Sequence, residues 1–289
     1  MDFKNANELL TLCEEKNLPI SEIMRLREIE LGETTAETVK ERMSRVLEIM
    51  KDAARSPIEK PVKSMGGLIG GEARKLSIHA QNSQGLCGDL LQRAITYAMA
   101  TLETNASMGL IVASPTAGSA GIVPGLMLAM QEHYHFSDDQ IIQALFNASA
   151  IGYLAMRNAT VAGAVGGCQA EVGVASAMAA SAATELLGGT PKQCTYAAST
   201  VLMNMLGLVC DPVGGLVEYP CQNRNAAGVA NALVAAEMAL AGITQLIPLD
   251  EMINVMYTVG KKLPAELRET ALGGCATAPS ACKSCHMCS

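Results

Sequence analysis

The chain has 289 residues, a formal net charge of −7, a hydrophobic fraction of 49%, ten cysteines and no tryptophan. The acidic balance argues against a nucleic-acid partner, which requires a basic surface. The chain contains neither an apolar run of about 20 residues nor a basic and apolar leader, so we expect no membrane span and a cytoplasmic location. In that compartment, ten cysteines indicate metal or redox chemistry rather than structural disulfides.

Residues 1–60 form the charged part of the chain. Apolar side chains at helical spacing predict three helices, over 6–16, 20–31 and 35–55. The third has a capping-box pattern at its start, with Thr34 followed by Glu37. We expect these helices to pack as an outer layer on the body or on a partner chain.

Residues 64–71 read SMGGLIGG, with four glycines in six residues. Such a backbone can present several N–H groups to an anion, although no Gly-Lys-Ser/Thr closes the run as in a Walker A loop. A tight interdomain turn is the structural alternative. Lys75 and His79 follow on one face of a predicted helix, as candidates for a general base or a carboxylate partner; packing or surface roles would suit them equally.

A second run of small residues, SPTAGSAG at 114–121, leads into an apolar helix. Its hydroxyl and N–H groups suit a carboxylate or a phosphate, and a helix-breaking turn is the alternative. The remaining apolar stretches of the sequence predict further helices, over 85–104, from about 122, from 137 to about 156, at 169–187, from 191 to about 208, at 224–242 and at 249–260. No sustained strand pattern is present, so we predict an all-α fold of about ten helices with one catalytic body over 61–275.

The stretch 209–225 reads VCDPVGGLVEYPCQNRN and holds Cys210 and Cys221. Two prolines and two glycines between these cysteines predict a shaped loop rather than a helix or a central strand. Cys168 lies in another glycine turn and is a candidate third ligand. Three thiolates could hold a [4Fe–4S] cluster and leave one iron open as a Lewis acid for a substrate hydroxyl. Inert buried cysteines and a zinc site are the alternatives.

The tail over 276–289 is rich in cysteine. Cys282, Cys285 and Cys288 form a C-x2-C-x2-C pattern, which by itself is a metal or cluster signature of moderate strength. The pattern lacks a fourth close Cys-Pro, and chain termini are often mobile.

Four long segments carry a family resemblance: SMGGLIGGEARKL at 64–76, ETNASMGLIVASPTAGSAGIVPG at 103–125, GGCQAEVGVASAMAA at 166–180 and CDPVGGLVEYPCQNRNA at 210–226. In these segments the chain resembles the α chain of the iron–sulfur-dependent L-serine dehydratases, or L-serine ammonia-lyases. The resemblance implies an all-helical catalytic domain that converts L-serine to pyruvate and ammonia through 2-aminoacrylate.

The same resemblance implies a [4Fe–4S] cluster held by Cys168, Cys210 and Cys221. Single-chain members of the family carry an additional α+β regulatory domain, and no such text is present here. We therefore expect this chain to pair with a separate β chain. In some members a C-terminal cysteine caps the open iron until substrate displaces it. Cys288 is the candidate for that role, with Cys282 and Cys285 as rivals and redundant thiols or adventitious metal binding as the alternative.

We assign the remaining candidate roles by position. The residues expected to shape the substrate pocket or to contact substrate are Ser64, Gly66, Gly67, Asn105, Thr116, Gly118, Ser119 and Arg224. Glu171 and Asp211, each close in sequence to a ligand cysteine, are candidates for orienting the substrate ammonium. Lys75 or His79 is the candidate base.

Three alternatives to serine dehydration by an iron–sulfur enzyme remain. A pyridoxal-phosphate dehydratase would need a Schiff-base lysine in an α/β fold, and only Lys75 beside the glycine run points that way. A lyase of the same broader family could release sulfide from L-cysteine. A non-catalytic iron–sulfur scaffold or electron carrier would use four cysteine ligands.

Overall fold

The protein is described by a computed structural model over residues 1–83 and 85–284. The predicted all-α fold is confirmed, since this part of the chain contains no β-sheet and its one isolated β-bridge joins Cys210 to Arg268. The helices are α1 Ala6–Lys16, α2 Ile20–Leu31, α3 Ala36–Glu59, α4 Glu72–Asn82, α5 Gly88–Ala106, α6 Ile122–Tyr134, α7 Asp138–Asn158, α8 Gly163–Gly166, α9 Val174–Leu186, α10 Pro191–Asn204, α11 Cys221–Leu240, α12 Leu249–Lys262 and α13 Pro279–Ser284.

Helix α9 is the centre of the fold. Its sequence, VASAMAASAATEL, is dominated by alanine, and its first eleven residues are buried. Helices α6, α7, α10 and α11 pack around it. Small side chains let these axes come close: a Cβ added at Gly228 of α11 would lie only 2.7 Å from the Ser176 Oγ of α9. The alanine-rich sequence therefore gives a tightly packed interior, and a glycine lies where the two helices approach each other closely.

The first turn of the predicted 169–187 helix is wider than an α-helix. Residues Gln169–Gly173 form a π-helical turn, and α9 begins only at Val174. Cys168 immediately precedes this turn. Single π turns within helices are frequent at functional sites, because they re-aim side chains that an α-helical ladder would direct elsewhere.

The N-terminal helices form a layer on the body, with α2 packed on α7 and α3 packed on α5 and α7. Helix α3 is longer than the predicted 35–55, because Pro57 is accommodated within its last turn. Proline has no N–H, and the Ala53 carbonyl that it would have bonded accepts a hydrogen bond from Thr104 Oγ1 at 2.8 Å instead. The predicted cap at Thr34 was wrong by one residue: Thr35 caps the helix and accepts from the Thr38 N–H.

A half-buried ionic cluster centred on Glu132 joins three helices. The Glu132 carboxylate of α6 accepts hydrogen bonds from Arg55 of α3 at 3.0 Å, from Tyr97 of α5 at 2.7 Å and from Arg93 of α5. Burial raises the pKa of Glu132, but the hydrogen bonds from Tyr97, Arg93 and Arg55 outweigh it and hold that pKa below its usual value of 4.5. The charged carboxylate therefore stabilises the contact between the N-terminal layer and the body.

No helix in the described part of the chain is both long enough and apolar enough to cross a membrane.

We expect Glu132→Gln to lower the free energy of unfolding by about 1–3 kcal/mol, because it removes the acceptor charge from three hydrogen bonds. A depressed pKa contributes stability above the unfolded-state value, and that contribution is lost as pH falls through the folded-state value. The difference between wild type and variant should therefore be full above about pH 4.5 and should shrink below it. Urea unfolding at several pH values measures this, with exposed Glu251→Gln as the control. A difference that stays constant at acid pH would contradict the prediction.

Candidate active site

Two of the three predicted ligand cysteines lie together in the structure. The sulfur atoms of Cys168 and Cys210 and a carboxylate oxygen of Glu171 all lie within 4.8 Å of one another. Glu171 comes from the π turn that follows Cys168, and Cys210 Sγ lies 3.6 Å from its Oε2. Both cysteines are buried, with exposed fractions of 2% and 3%. The fold therefore brings residues that are 42 positions apart into one polar cluster.

The backbone around the first two cysteines is tied to distant segments. Gly167 adopts a φ of +75°, which only glycine tolerates readily, and turns the chain so that Gln169 N–H reaches the Leu208 carbonyl at 3.0 Å. The Cys210 N–H donates to the Leu267 carbonyl at 2.9 Å, and the Glu269 N–H donates to the Cys210 carbonyl at 2.7 Å. The backbone beside each of these two thiols is thus tied to a distant segment by main-chain hydrogen bonds.

Cys221, the third candidate, is the first residue of α11 rather than part of the preceding loop. The predicted start at 224 was therefore wrong; Pro220 is the last residue before the helix, and nothing from Cys221 onward interrupts helical geometry. Burial raises the pKa of Cys221 to about 12, and negative charge on Cys168 or Glu171 adds to the rise. The Cys221 sulfur is thus influenced by the charges of this cluster, but it is not within the 4.8 Å group.

A half-buried arginine lies beside Cys168. Arg224, one helical turn after Cys221, donates to Cys168 Sγ at 3.5 Å and to the Val209 carbonyl at 2.9 Å. Its Nη1 lies 2.7 Å from Asp211 Oδ1. A hydrogen bond from Cys210 lowers the pKa of Cys168, and the Arg224 charge adds to that effect against the opposing effect of burial. Arg224 therefore stabilises negative charge on the buried sulfur.

The small-residue loop at 114–121 lies against Glu171. Thr116 Oγ1 donates to Glu171 Oε1 at 2.9 Å, and a Cβ added at Gly118 would lie 3.3 Å from that same oxygen. Burial raises the pKa of Glu171. Ser119 Oγ lies 3.1 Å from Thr116 Oγ1, so the predicted residues Thr116, Gly118 and Ser119 are grouped beside the cysteine cluster.

Asn225 holds this loop in place and was missed as a functional candidate. Its Nδ2 donates to the Gly118 carbonyl at 2.8 Å, and its Oδ1 accepts from the Gly121 N–H at 3.0 Å. The residue is fully buried. The signal that could have found it is a polar amide one helical turn after Cys221, at a position where a helix buried on that face would otherwise be apolar.

The glycine loop at 64–71 already binds an anion, which is the carboxylate of Glu218. Ser64 Oγ donates to Glu218 Oε2 at 2.7 Å, the Gly66 N–H donates to Oε1 at 2.6 Å, and the Leu68 N–H donates to Oε2 at 3.0 Å. Gly67 makes the turn with a φ of +74°. The loop thus presents its donors to a carboxylate of this chain, which belongs to residues 210–220, here called the cysteine loop. Its role as a nest for a substrate carboxylate stays a prediction.

The candidate bases lie apart from the cysteine cluster. Lys75 is exposed and pairs with Glu72 of its own helix at 3.5 Å, and exposed His79 shares a hydrogen bond with Ser83. Asn105 is half-buried near the end of α5, and its side chain makes no hydrogen bond within the described residues. The roles assigned to these three residues stay predictions.

The segment after α12 returns to the site. The Cys275 N–H donates to Asp211 Oδ2 at 2.6 Å, and Gly274, with a φ of +62°, passes so close to this carboxylate that an added Cβ would lie 2.2 Å from Oδ2. Asp211 therefore joins Arg224 to the C-terminal segment. Cys285, Cys288 and the side chain of Cys282 lie outside the described part of the structure, so the proposed cap on an open iron stays a prediction.

Comparison with known proteins decides the family. The family model described as serine dehydratase alpha chain matches residues 15–276. The chain belongs to this family. It is 49% identical to the probable L-serine dehydratase alpha chain of Bacillus subtilis over 278 residues, which cover 96% of this chain and 92% of that one. It is 42% identical to the L-serine dehydratase alpha chain of Peptoniphilus asaccharolyticus, with 95% and 94% covered.

This chain also matches part of longer proteins. The chain is 37% identical to the L-serine dehydratase of Helicobacter pylori, and the match covers 95% of this chain but 61% of that one. The family match ends at residue 276, so Cys282, Cys285 and Cys288 of the tail lie beyond it.

The residues of this serine dehydratase alpha chain fit an iron–sulfur group. Thiols are the soft ligands that such clusters use, and two lie in one buried group. The third, Cys221, is buried at the start of α11, one helical turn before the arginine that contacts Cys168. Gly163 keeps the space beside them open: a Cβ there would lie 3.0 Å from Cys210 Sγ and 2.3 Å from Glu171 Oε2.

We expect Asp211→Ala to lower the free energy of unfolding by about 3 kcal/mol or more, since it leaves the Arg224 charge without its buried partner. It also removes the acceptor for Cys275, so the segment after α12 should become more susceptible to proteolysis. Urea unfolding and limited proteolysis of the metal-free chain measure both effects. Asp139→Ala, which breaks an exposed ion pair with Lys40, is the matched control. Equal losses in the two variants would contradict the prediction.

Proposed function

We propose that this chain is the α subunit of an L-serine dehydratase that converts L-serine to pyruvate and ammonia. The observation that carries the proposal is the meeting of Cys168, Cys210 and Glu171 in one buried cluster, in a chain of the serine dehydratase alpha chain family. The names of the relatives supply the substrate. This group of side chains is consistent with the reaction, because thiols and a carboxylate next to a polar small-residue loop suit elimination from a hydroxy amino acid.

The residues that would hold a [4Fe–4S] cluster are Cys168, Cys210 and Cys221. With three protein ligands, such a cluster would supply a Lewis-acidic iron for the substrate hydroxyl. The protein contributes a buried setting and the Arg224 guanidinium, which lies 3.5 Å from Cys168 Sγ. That contact favours the charged form of the sulfur, which is the form that binds metal.

We place the substrate carboxylate at the 114–121 loop rather than at the glycine loop. The backbone N–H groups of residues 116–118 have no acceptor within the described part of the chain. By contrast, Ser64 and Gly66 already donate to Glu218. Ser64, Gly66 and Gly67 would then shape the pocket through Glu218 instead of binding substrate directly.

Glu171 and Asp211 are the acidic groups available to the substrate ammonium. Glu171 is the better placed, because Thr116 orients one of its oxygens and Cys210 lies against the other. Asp211 is already engaged by Arg224 and Cys275. The general base stays a prediction, with Lys75 and His79 both exposed and bonded within α4.

A separate β chain is part of the proposal. The relatives that this chain matches along nearly their whole length are named alpha chains, whereas the longer L-serine dehydratase of Helicobacter pylori extends well beyond the matched region. We propose that this chain works with a separate β chain, as the alpha-chain names of those relatives imply, and that the complex is cytoplasmic.

We expect anaerobic reconstitution with iron and sulfide, with the β chain present, to produce a brown protein that forms pyruvate from L-serine. Cys168→Ala should abolish both the visible absorption and the turnover, because it removes a thiol that would hold the cluster. Cys194→Ala is the matched control, since Cys194 is equally buried but lies within α10.

Three outcomes would contradict this assignment. Retained turnover in Cys168→Ala would exclude Cys168 as an essential ligand. Equal loss in Cys194→Ala would indicate a general effect of losing a buried cysteine. Faster release of sulfide from L-cysteine than of pyruvate from L-serine would favour the desulfidase alternative.

We expect Thr116→Val to lower kcat/KM for L-serine by about tenfold or more, because it removes the hydrogen bond that orients Glu171 beside the loop. The free energy of unfolding should change little, since Thr116 is only half-buried. Thr11→Val, at an exposed position of α1, is the control. An unchanged kcat/KM in Thr116→Val would show that the hydrogen bond from Thr116 to Glu171 does not contribute to the reaction.

A further inference from the structure

Glu218 is a buried carboxylate without a cationic partner. Its exposed fraction is 2%, and it forms no ion pair within the described residues. Both of its oxygens instead accept hydrogen bonds from the glycine loop, through Ser64 Oγ, the Gly66 N–H and the Leu68 N–H. Burying a charge is costly unless it is fully hydrogen-bonded, so this arrangement is built for a carboxylate.

The loop is shaped closely around this one side chain. A Cβ added at Gly66 would lie 2.9 Å from Glu218 Oε1 and 2.4 Å from Leu216 Cδ1. Ser64 Oγ also accepts from the Ile69 N–H at 3.3 Å, which closes the loop behind the carboxylate. Any side chain at position 66 would therefore push Glu218 out of its site.

Glu218 lies at the end of a tight turn between the two small-residue loops, in which its N–H donates to the Leu216 carbonyl at 2.8 Å. Leu216 and Glu218 contact the glycine loop at Gly66, while the Cγ1 of Val217, at the centre of the turn, would lie 3.5 Å from a Cβ at Gly118. The position of Glu218 in the glycine loop therefore determines how Val217 meets the loop that contacts Glu171.

The segment leads directly into Cys221. The Glu218 carbonyl accepts from the Gln222 N–H at 2.9 Å, within the first turn of α11. Gln222 Nε2 donates to Glu103 Oε1 at 3.1 Å, and that oxygen also accepts from the Ala73 N–H at 2.9 Å. Two carboxylates, Glu218 and Glu103, thus join the residues on either side of Cys221 to one stretch of chain, residues 64–73.

We propose that Glu218 is a positioning residue, whose carboxylate fastens the cysteine loop to the glycine loop and thereby sets the place of Cys221 and Val217 in the active site. The importance of this for catalysis rests on the proposed function, but the positioning itself does not. Glutamine cannot replace the group, because its NH2 would face donors where an acceptor oxygen is required.

The test uses the full metal-free chain and measures the rate of iodoacetamide labelling of each cysteine by peptide mass spectrometry at fixed pH. Cys221 is 6% exposed, so it reacts only when its surroundings open. We expect Glu218→Ala to raise its labelling rate by about tenfold or more, because each lost charge-assisted hydrogen bond corresponds to at least about one order of magnitude in the opening equilibrium. Cys194, buried in α10, should keep its rate and serves as the internal reference.

Chemical rescue tests whether the site is specific for a carboxylate. Acetate at tens of millimolar should slow Cys221 labelling in Glu218→Ala, whereas the same concentration of chloride should not, because the emptied loop retains its three donors. Glu218→Gln should behave like Glu218→Ala without acetate. The matched control is Glu237→Ala, an exposed glutamate on the same helix as Cys221, which should leave labelling unchanged.

The proposal is overturned if Cys221 labelling in Glu218→Ala or Glu218→Gln stays within about twofold of wild type, a change too small for a lost charge-assisted bond. It is also overturned if acetate has no effect or if Cys194 labelling rises equally. Should Glu218→Ala not fold, Ser64→Ala removes a single donor and should raise Cys221 labelling by about threefold to tenfold with Cys194 unchanged; no rise would again overturn it.

Reconstitution then separates this inference from the proposed function. If both are right, Glu218→Gln should bind less iron per chain than wild type and Glu237→Ala, and acetate should restore iron binding in Glu218→Ala. If wild type itself binds no iron and forms no pyruvate, the proposed function fails, while the labelling and acetate results still decide the role of Glu218.

Discussion

Hydrogen bonds from backbone N–H groups to buried carboxylates hold the cysteine loop in its place. Glu218 accepts from the Gly66 and Leu68 N–H groups, Asp211 accepts from the Cys275 N–H, and Glu103 accepts from the Ala73 N–H. In a medium of low dielectric these bonds are strong, and the same burial makes each carboxylate expensive to leave unpaired. The loop therefore has one well-defined arrangement even though it contains no regular secondary structure over most of its length.

The alanine-rich helices provide the rigid frame for this arrangement. Because α9 presents small side chains on every face, its neighbours approach closely, and Cys168, the π turn and Asn225 all lie where these helices begin. Side chains at helix starts are placed by two sets of contacts, the helix packing behind them and the loop bonds ahead of them. A site built in this way needs few charged side chains of its own, which agrees with the low charged fraction of the sequence, 17%.

The local features of the chain could be predicted from its sequence, and the long-range pairings could not. The helical periodicity, the capping boxes at Ser137 and Thr190 and the irregular stretch around Asp211 depend on neighbours within a few residues. By contrast, the partner of the glycine loop is 150 residues away, and nothing in the text around Ser64 or Glu218 indicates that they meet. The start of α11 at Cys221 was missed because two prolines nearby suggested a longer irregular stretch, although proline disturbs only the residues before it in a helix.

The two small-residue loops illustrate why a shared chemical character does not determine a shared role. Both offer hydroxyl and N–H groups at the start of a helix, and both were equally good candidates for a substrate carboxylate. In the folded chain one of them is filled by Glu218, while the other keeps the N–H groups of 116–118 without an acceptor in the described residues and lies against Glu171. The filled loop fixes the turn at 216–218, and Val217 of that turn borders the unfilled loop. The internal carboxylate in the first loop therefore fixes the residue that borders the second loop. The first loop has a structural role and the second is left to bind a ligand, so the two are not copies of one anion site.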